Sequence, residues 1–203
     1  MSVKRRPGRP RLTEPSPEHL ARRQQLIDTA AEVFRAKGYD AGSLDDVAAA
    51  LDLRKASLYY YVRSKAELLY LIFDRAITLA LSRLEEILAV EDARQRLALL
   101  IRHQVLTIAG EPGLFTVFFD QRAGLDHERA QEIRAKERHY LGVYAKAVAQ
   151  ATSESVIPPV DARYAAQAII GMTSWIYKWL DPKRDDPEQI ADTCVRLILG
   201  DRP

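Results

Sequence analysis

Lys55, Ser57, Tyr59 and Tyr60 fall within one short run, K-A-S-L-Y-Y-Y-V. An ammonium, a hydroxyl and two phenols on one helix can hydrogen-bond phosphate oxygens and the edges of bases. Leu58 and Tyr61 lie three residues apart and share the opposite, inward side. Three consecutive tyrosines, each turned about 100° from the last, cannot all be core, so Tyr59 and Tyr60 are the outward pair. Ser43 and Lys65 stand where helices should begin, and free N–H groups there favour phosphate. Arg54 is a further cation for the backbone of a nucleic acid. Arg9 and Arg11 lie in P-G-R-P-R, an extended and thin segment suited to a minor groove of high negative potential.

These residues need helices to hold them. The stretch from Ser43 to Glu67 reads as two short helices with a tight turn between them and the start of a third. Leu44, Val47, Ala48, Leu51 and Leu58 are spaced to pack two crossing helices, and the small Ala48 allows close approach. Ser43 is an N-cap with Asp45 and Asp46 in the first turn, where they complement the helix dipole. Asp52 occupies the turn, where a left-handed residue is needed. Such a helix-turn-helix presents its second helix, about 55–62, to the DNA major groove. Ser64 with Glu67 forms a capping box for a long helix reaching about Leu88. Upstream, His19 to about Lys37 carries an apolar stripe (Leu26, Ile27, Ala30, Ala31, Phe34) and stops at Gly38.

The 203 residues are 47% hydrophobic and 29% charged, an ordinary globular composition. Residues 1–65 hold 13 Lys/Arg against 8 Asp/Glu, and the remainder 17 against 20. The cationic front suits a phosphate-contacting unit, and the rest does not. Residues 1–18, with four prolines and five basic residues, read as a flexible basic arm. Residues 19–65 follow as a DNA-binding unit and 66–203 as a second unit. Beyond residue 90 every segment reads as helix: 93–109, a short piece 114–119, 126–152, 161–180 and 187–200. The chain is therefore expected to be all-α, with nine helices. Cys194, the single cysteine, excludes an internal disulfide and fits a reducing cytoplasm. No apolar run follows the basic start or reaches the length of a membrane span, so neither export nor a membrane partner is expected.

Chemistry of the enzymatic kind finds no support. The four histidines are scattered without metal spacing, no Gly-rich phosphate loop is present, and no catalytic constellation forms around Cys194. No cofactor and no metal are expected. The second unit offers large apolar side chains on four segments, Phe115, Phe118, Phe119, Tyr140, Tyr144, Met172, Trp175 and Trp179, which can be plain core or the wall of a pocket. Helices 161–180 and 187–200 carry an apolar face (Ala165, Ala168, Ile169, Met172, Ile176, Ile190, Cys194, Leu197, Ile198) suited to a four-helix dimer interface.

The first helix ending in Phe34 and Gly38, Ser43, Val47-Ala48, and Lys55-Ala56-Ser57-Leu58-Tyr59-Tyr60-Tyr61 followed by Ser64-Lys65 and Glu67-Leu68 resemble the TetR family of transcriptional regulators. The specific part covers residues 19–70. Asp52, Arg54 and Val62 depart from the family's usual Gly, Ser and Phe. Arg54 gives up a cap, and Val62 is expected to reduce packing. The resemblance implies a homodimer whose three-helix heads enter successive major grooves of a palindromic operator. It also implies a repressor that a lipophilic ligand in the body releases. The runs Phe118–Arg122, Glu132–Arg134 with Arg138, and Gly171–Trp179 look like the subgroup answering to acyl-CoA thioesters or fatty acids. That likeness implies a ligand site of Phe115, Phe118, Phe119, Tyr144, Met172, Trp175 and Trp179, with Arg122, Arg134, Arg138 or Lys178 for the CoA phosphates. A sensor of cationic lipophiles and an architectural DNA-binding dimer without ligand remain open as alternatives.

Overall fold

The computed structural model describes residues 16–121 and 124–201. Its helices are α1 (Pro17–Lys37), α2 (Leu44–Ala50), α3 (Lys55–Leu58), α4 (Lys65–Leu81), α5 (Leu84–Leu88), α6 (Ala93–Gly110), α7 (Pro112–Asp120), α8 (His127–Ser153), α9 (Ala162–Ser174) and α10 (Pro187–Leu199). A 3-10 turn, Trp175–Lys178, follows α9. There is no strand among the described residues. The fold is all-α, and each of the nine expected helical segments is present.

Local chemistry explains the boundaries. Ser16 accepts a hydrogen bond from His19 N at 3.2 Å, and Pro17 takes the first helical position, where its missing N–H costs nothing. Helix α1 thus begins earlier than the prolines of the arm suggest. It ends at Gly38, whose φ of 78° suits glycine. Asp52 adopts φ 51° in the turn between α2 and α3, the left-handed conformation expected of it. Asp92, Asp126, Asp161 and Asp186 each cap the helix that follows.

Several expectations change. Helix α3 stops at Leu58 and not near residue 62, and the helix expected over 161–180 ends at Ser174 in a 3-10 turn. The long helix from Ser64 to Leu88 is broken at Ser82–Arg83, although neither residue is Gly or Pro. Ser82 Oγ donates to Leu79 O at 2.6 Å, drawing the backbone out of the helix, and Arg83 takes φ 60°. The turn lets Leu84 and Ile87 bury themselves in the core. The Ser64 cap forms, with Glu67 N donating to Ser64 Oγ at 3.0 Å. The Glu67 carboxylate, however, accepts from Arg63 N at 2.6 Å, one residue before the position a capping box uses. Val62 is buried at 1% exposure, so the smaller side chain is accommodated without an exposed gap.

The core is continuous. Helix α1 packs on α2, α4 and α7; α4 meets α7 and α8; α6 meets α8, α9 and α10. Leu58 is fully buried beneath α3, and Phe34 from α1 is fully buried too. Tyr61 is half-buried and stacks on His19, with ring centroids 5.0 Å apart. Around this core α4 is tied to its neighbours by polar links. Arg75 pairs with Asp28 of α1 and with Glu111 at the start of α7, and Tyr70 donates to Glu132 of α8 at 2.8 Å.

Candidate DNA-reading head and ligand cavity

The second helix of the helix-turn-helix, α3, is short. Regular α-helix ends at Leu58, and the chain completes one tighter turn through Tyr60 N–Ser57 O and Tyr61 N–Leu58 O bonds. This geometry leaves Lys55, Ser57, Tyr59 and Tyr60 exposed together, Tyr60 at 75%. Arg54 precedes them, exposed, and its side chain caps nothing. Tyr60 sets its ring edge-on against His19 and Tyr61, which orients the phenol without burying it.

Neighbouring carboxylates tune the head's cations. Lys55 Nζ lies 2.8 Å from Asp45 Oδ2, a hydrogen bond that raises the lysine pKa and secures its charge. Lys37 Nζ lies 2.6 Å from Asp46 Oδ1, and this bond with those from Ser43 lowers the Asp46 pKa to about 2. Asp46 and Ser43 form a full capping box, so the Ser43 hydroxyl is already donor to Asp46 Oδ2 and acceptor from Asp46 N. Lys65 is also engaged within the protein. Its Nζ donates to Asp40 O at 3.1 Å and sits 4.3 Å over the Tyr39 ring. Ser43 and Lys65 thus brace the head from within in this structure, apart from the exposed group on α3. Arg9 and Arg11 lie outside the described residues, as does Arg122.

The body holds a partly open cavity of about 320 Å³ between α4, α6, α7, α8 and α9. Ala76, Ile77, Ile108, Leu141 and Ile170 make smooth walls, and Phe115, Phe118 and Phe119 close one side. Gln104, Thr107, Glu137, Tyr140, Gln167 and Ser174 add polar groups. Beside it, Asp120 accepts from Lys178 Nζ at 2.8 Å and from Tyr177 at 2.8 Å, fastening the end of α7 to the turn after α9. Burial opposes ionisation of Asp120, but these two bonds outweigh it and its pKa falls. Among the described residues no cluster of His, Cys, Asp or Glu could hold a metal, and no helix is long and apolar enough to cross a membrane.

A family model described as the tetracyclin repressor-like C-terminal domain matches residues 90–201, and one for bacterial regulatory proteins of the tetR family matches 26–70. The chain belongs to the TetR family. The protein is a DNA-binding transcriptional regulator. The fatty acid metabolism regulator protein of Bacillus subtilis (strain 168) is 26% identical over 183 residues, covering 87% of this chain and 93% of that protein. The biofilm operon negative transcriptional regulator IcaR of Staphylococcus aureus (strain Newman) is 30% identical over 84 residues, 41% of this chain and 43% of its own. The crystal structure of AibR in complex with isovaleryl coenzyme A and operator DNA is 30% identical, with a TM-score of 0.80 over 88% of this chain and 98% of AibR.

The expected ligand residues divide in this TetR chain. Phe115, Phe118 and Phe119 line the cavity. Tyr144 does not; it is fully buried behind the wall, donating to Leu100 O at 2.6 Å. Arg138 is exposed and is not among the lining residues. Met172, Trp175 and Trp179 turn the other way. They are 38%, 60% and 51% exposed and border an open groove against Ile190, Cys194 and Leu197 of α10. On α9 the helical repeat sends Ile170 and Ser174 to the cavity and Met172 to the groove, which Trp175 of the following 3-10 turn also lines, while Gly171 borders both. Of the residues expected at a dimer face, Ile169, Ile176 and Cys194 are buried within the subunit. Ile176 and Cys194 make the floor of the groove, and Leu197 stands out at 73% exposure. Gln104, Gln167 and Ser174 were not legible as lining. A glutamine or serine in an amphipathic helix reads as surface until the cavity beside it is known.

Proposed function

We propose that the protein is a homodimeric repressor, released from a palindromic operator when the acyl group of a CoA thioester enters the cavity. One observation carries the reading: α7 gives the cavity Phe115, Phe118 and Phe119 on one side and packs against α1 of the head on the other. A ligand that displaces α7 therefore acts on the head directly. The cavity volume of about 320 Å³ accommodates roughly ten heavy atoms at ~30 Å³ each. That suits a short or medium acyl group, with the nucleotide outside, where exposed cations such as Arg138 can meet its phosphates. The isovaleryl-CoA complex of AibR and the fatty acid regulator of B. subtilis support the same ligand class.

Residues 19–65 form the DNA-binding unit, with Lys55, Ser57, Tyr59, Tyr60 and Arg54 toward the operator and Arg9 and Arg11 in its minor groove. Residues 66–203 form the ligand-binding and dimerising unit. Trp175, Trp179, Met172 and Leu197 supply the apolar dimer face, and the site of action is the cytoplasm. The test is fluorescence anisotropy of the operator complex against a chain-length series of acyl-CoAs. Release at micromolar thioester, with none from free CoA or from a cationic lipophile, is the expected result. An unmoved complex across the series rejects the ligand assignment and leaves the DNA-binding function standing.

A further inference from the structure

Tyr140 projects from α8 into the cavity wall beside Gln104 of α6 and Ser174 of α9, and it is only 6% exposed. Its hydrogen has no good acceptor. Tyr144 Oη donates to Leu100 O at 2.6 Å, so the hydrogen of that phenol is committed and Tyr140 must be the donor between the two tyrosines. Gln104 Nε2 donates to Ser174 Oγ at 2.9 Å and to Ile170 O at 3.2 Å, which turns Gln104 Oε1 toward Tyr140. The Tyr140 hydroxyl therefore chooses between Tyr144 Oη and Gln104 Oε1, both at 3.3 Å. Both lie beyond the usual ~2.5–3.0 Å for O–H···O. A buried donor held this loosely gains most from a better acceptor. Burial also keeps the phenol pKa above its ordinary value, so the group stays a neutral donor.

Resting on the acyl-CoA reading above, we propose that Tyr140 determines ligand specificity by donating its hydroxyl hydrogen to an oxygen of the bound acyl group. Two oxygens have the required chemistry: the thioester carbonyl, and a keto oxygen further along the chain. Most of the surrounding wall is apolar, so a hydrocarbon without such an oxygen gains mainly burial.

The experiment compares three ligands on full-length protein bound to operator: a short saturated acyl-CoA, the alkyl-CoA thioether of equal length, and the 3-oxoacyl-CoA. Each is titrated against wild type and Tyr140→Phe. In wild type the oxygen-bearing ligands should release DNA at roughly tenfold lower concentration than the thioether, the usual scale for a buried hydrogen bond left unmade. A gap between thioester and thioether assigns the carbonyl; a gain confined to the 3-oxo compound assigns the chain oxygen. Tyr140→Phe should close the gap. Equal potency of all three in wild type overturns the role of Tyr140 with the acyl-CoA reading intact, and so does a gap that survives in Tyr140→Phe. Silence from every CoA compound removes both. The wild-type comparison needs no variant to fold, so the proposal stays exposed to refutation even if Tyr140→Phe is unstable.

Discussion

Gly113 and Glu32 meet where α7 crosses α1. A Cβ on Gly113 would come within 3.0 Å of Glu32 Cδ and closer still to its Oε1. The cavity helix and the first helix of the head thus touch at a point with no room for a methyl group. Glu32 is a flexible side chain that also pairs with Arg35 at 2.7 Å, so it can swing aside. Gly113→Ala should therefore fold, with melting within a few degrees of wild type. If this crossing transmits the ligand signal, the concentration for half-release from the operator should rise by roughly 2- to 30-fold, the range for mutations along a coupling route. Anisotropy titration with acyl-CoA checks it, and an unchanged midpoint would move the route to α4.

Tyr60→Ala removes the most exposed phenol of the head, and Lys55→Ala removes the cation at the start of α3. Neither side chain is buried, so dimerisation and melting should be unaffected. Operator affinity should fall by about 1–3 kcal/mol for each if it reads a base. A side chain that meets phosphate would instead weaken all sequences alike when removed and reduce the salt slope by about one. Gel shifts on specific and scrambled DNA at several salt concentrations separate the two.

Removal of residues 1–12 should weaken operator binding and flatten its dependence on salt, by about 0.9 in the logarithmic slope for each phosphate that the arm neutralises. Equal slopes for the truncated and full chains would show that Arg9 and Arg11 do not touch DNA.

Asp46 couples head stability to pH. The hydrogen bond from Lys37, and then those from Ser43, hold its pKa at about 2 in the folded chain. The unfolded value is near ~3.9. A depressed carboxylate pKa stabilises the fold above the unfolded pKa and loses that contribution as pH falls through the folded one. Melting temperature should thus fall for wild type between about pH 4 and pH 2. Asp46→Asn should start lower at neutral pH and show a shallower decline, the two curves converging in acid.

Leu197→Lys places a charge on the exposed apolar strip of α10. Twofold symmetry would bury it twice in a dimer, and an unpaired buried charge costs several kcal/mol. Analytical ultracentrifugation should find monomer at concentrations where wild type is dimeric, with operator affinity lost in parallel. An unaltered dimer would place the interface elsewhere.

The sequence by itself determined the helices, the turn at Asp52 and the exposed run on α3. Those depend on caps, left-handed turn residues and the 3.6-residue repeat, all of which are local. The family motif over 26–70 is local in the same sense. The break at Ser82–Arg83 was not legible, because it depends on a hydroxyl bonding back to Leu79 and on a core waiting for Leu84 and Ile87. Nor was the division of the aromatic residues. Phe118, Tyr144 and Trp175 are alike in composition, yet one lines the cavity, one is sealed behind its wall and one faces outward. An apolar residue is inward on many helices at once, and only the packing of five helices around a common space decides which inward faces meet and which become an outer groove. The contact of Tyr140 with Tyr144 follows from their four-residue spacing on α8, but its contact with Gln104 of α6, whose amide is fixed by Ile170 and Ser174 of α9, is decided by tertiary structure.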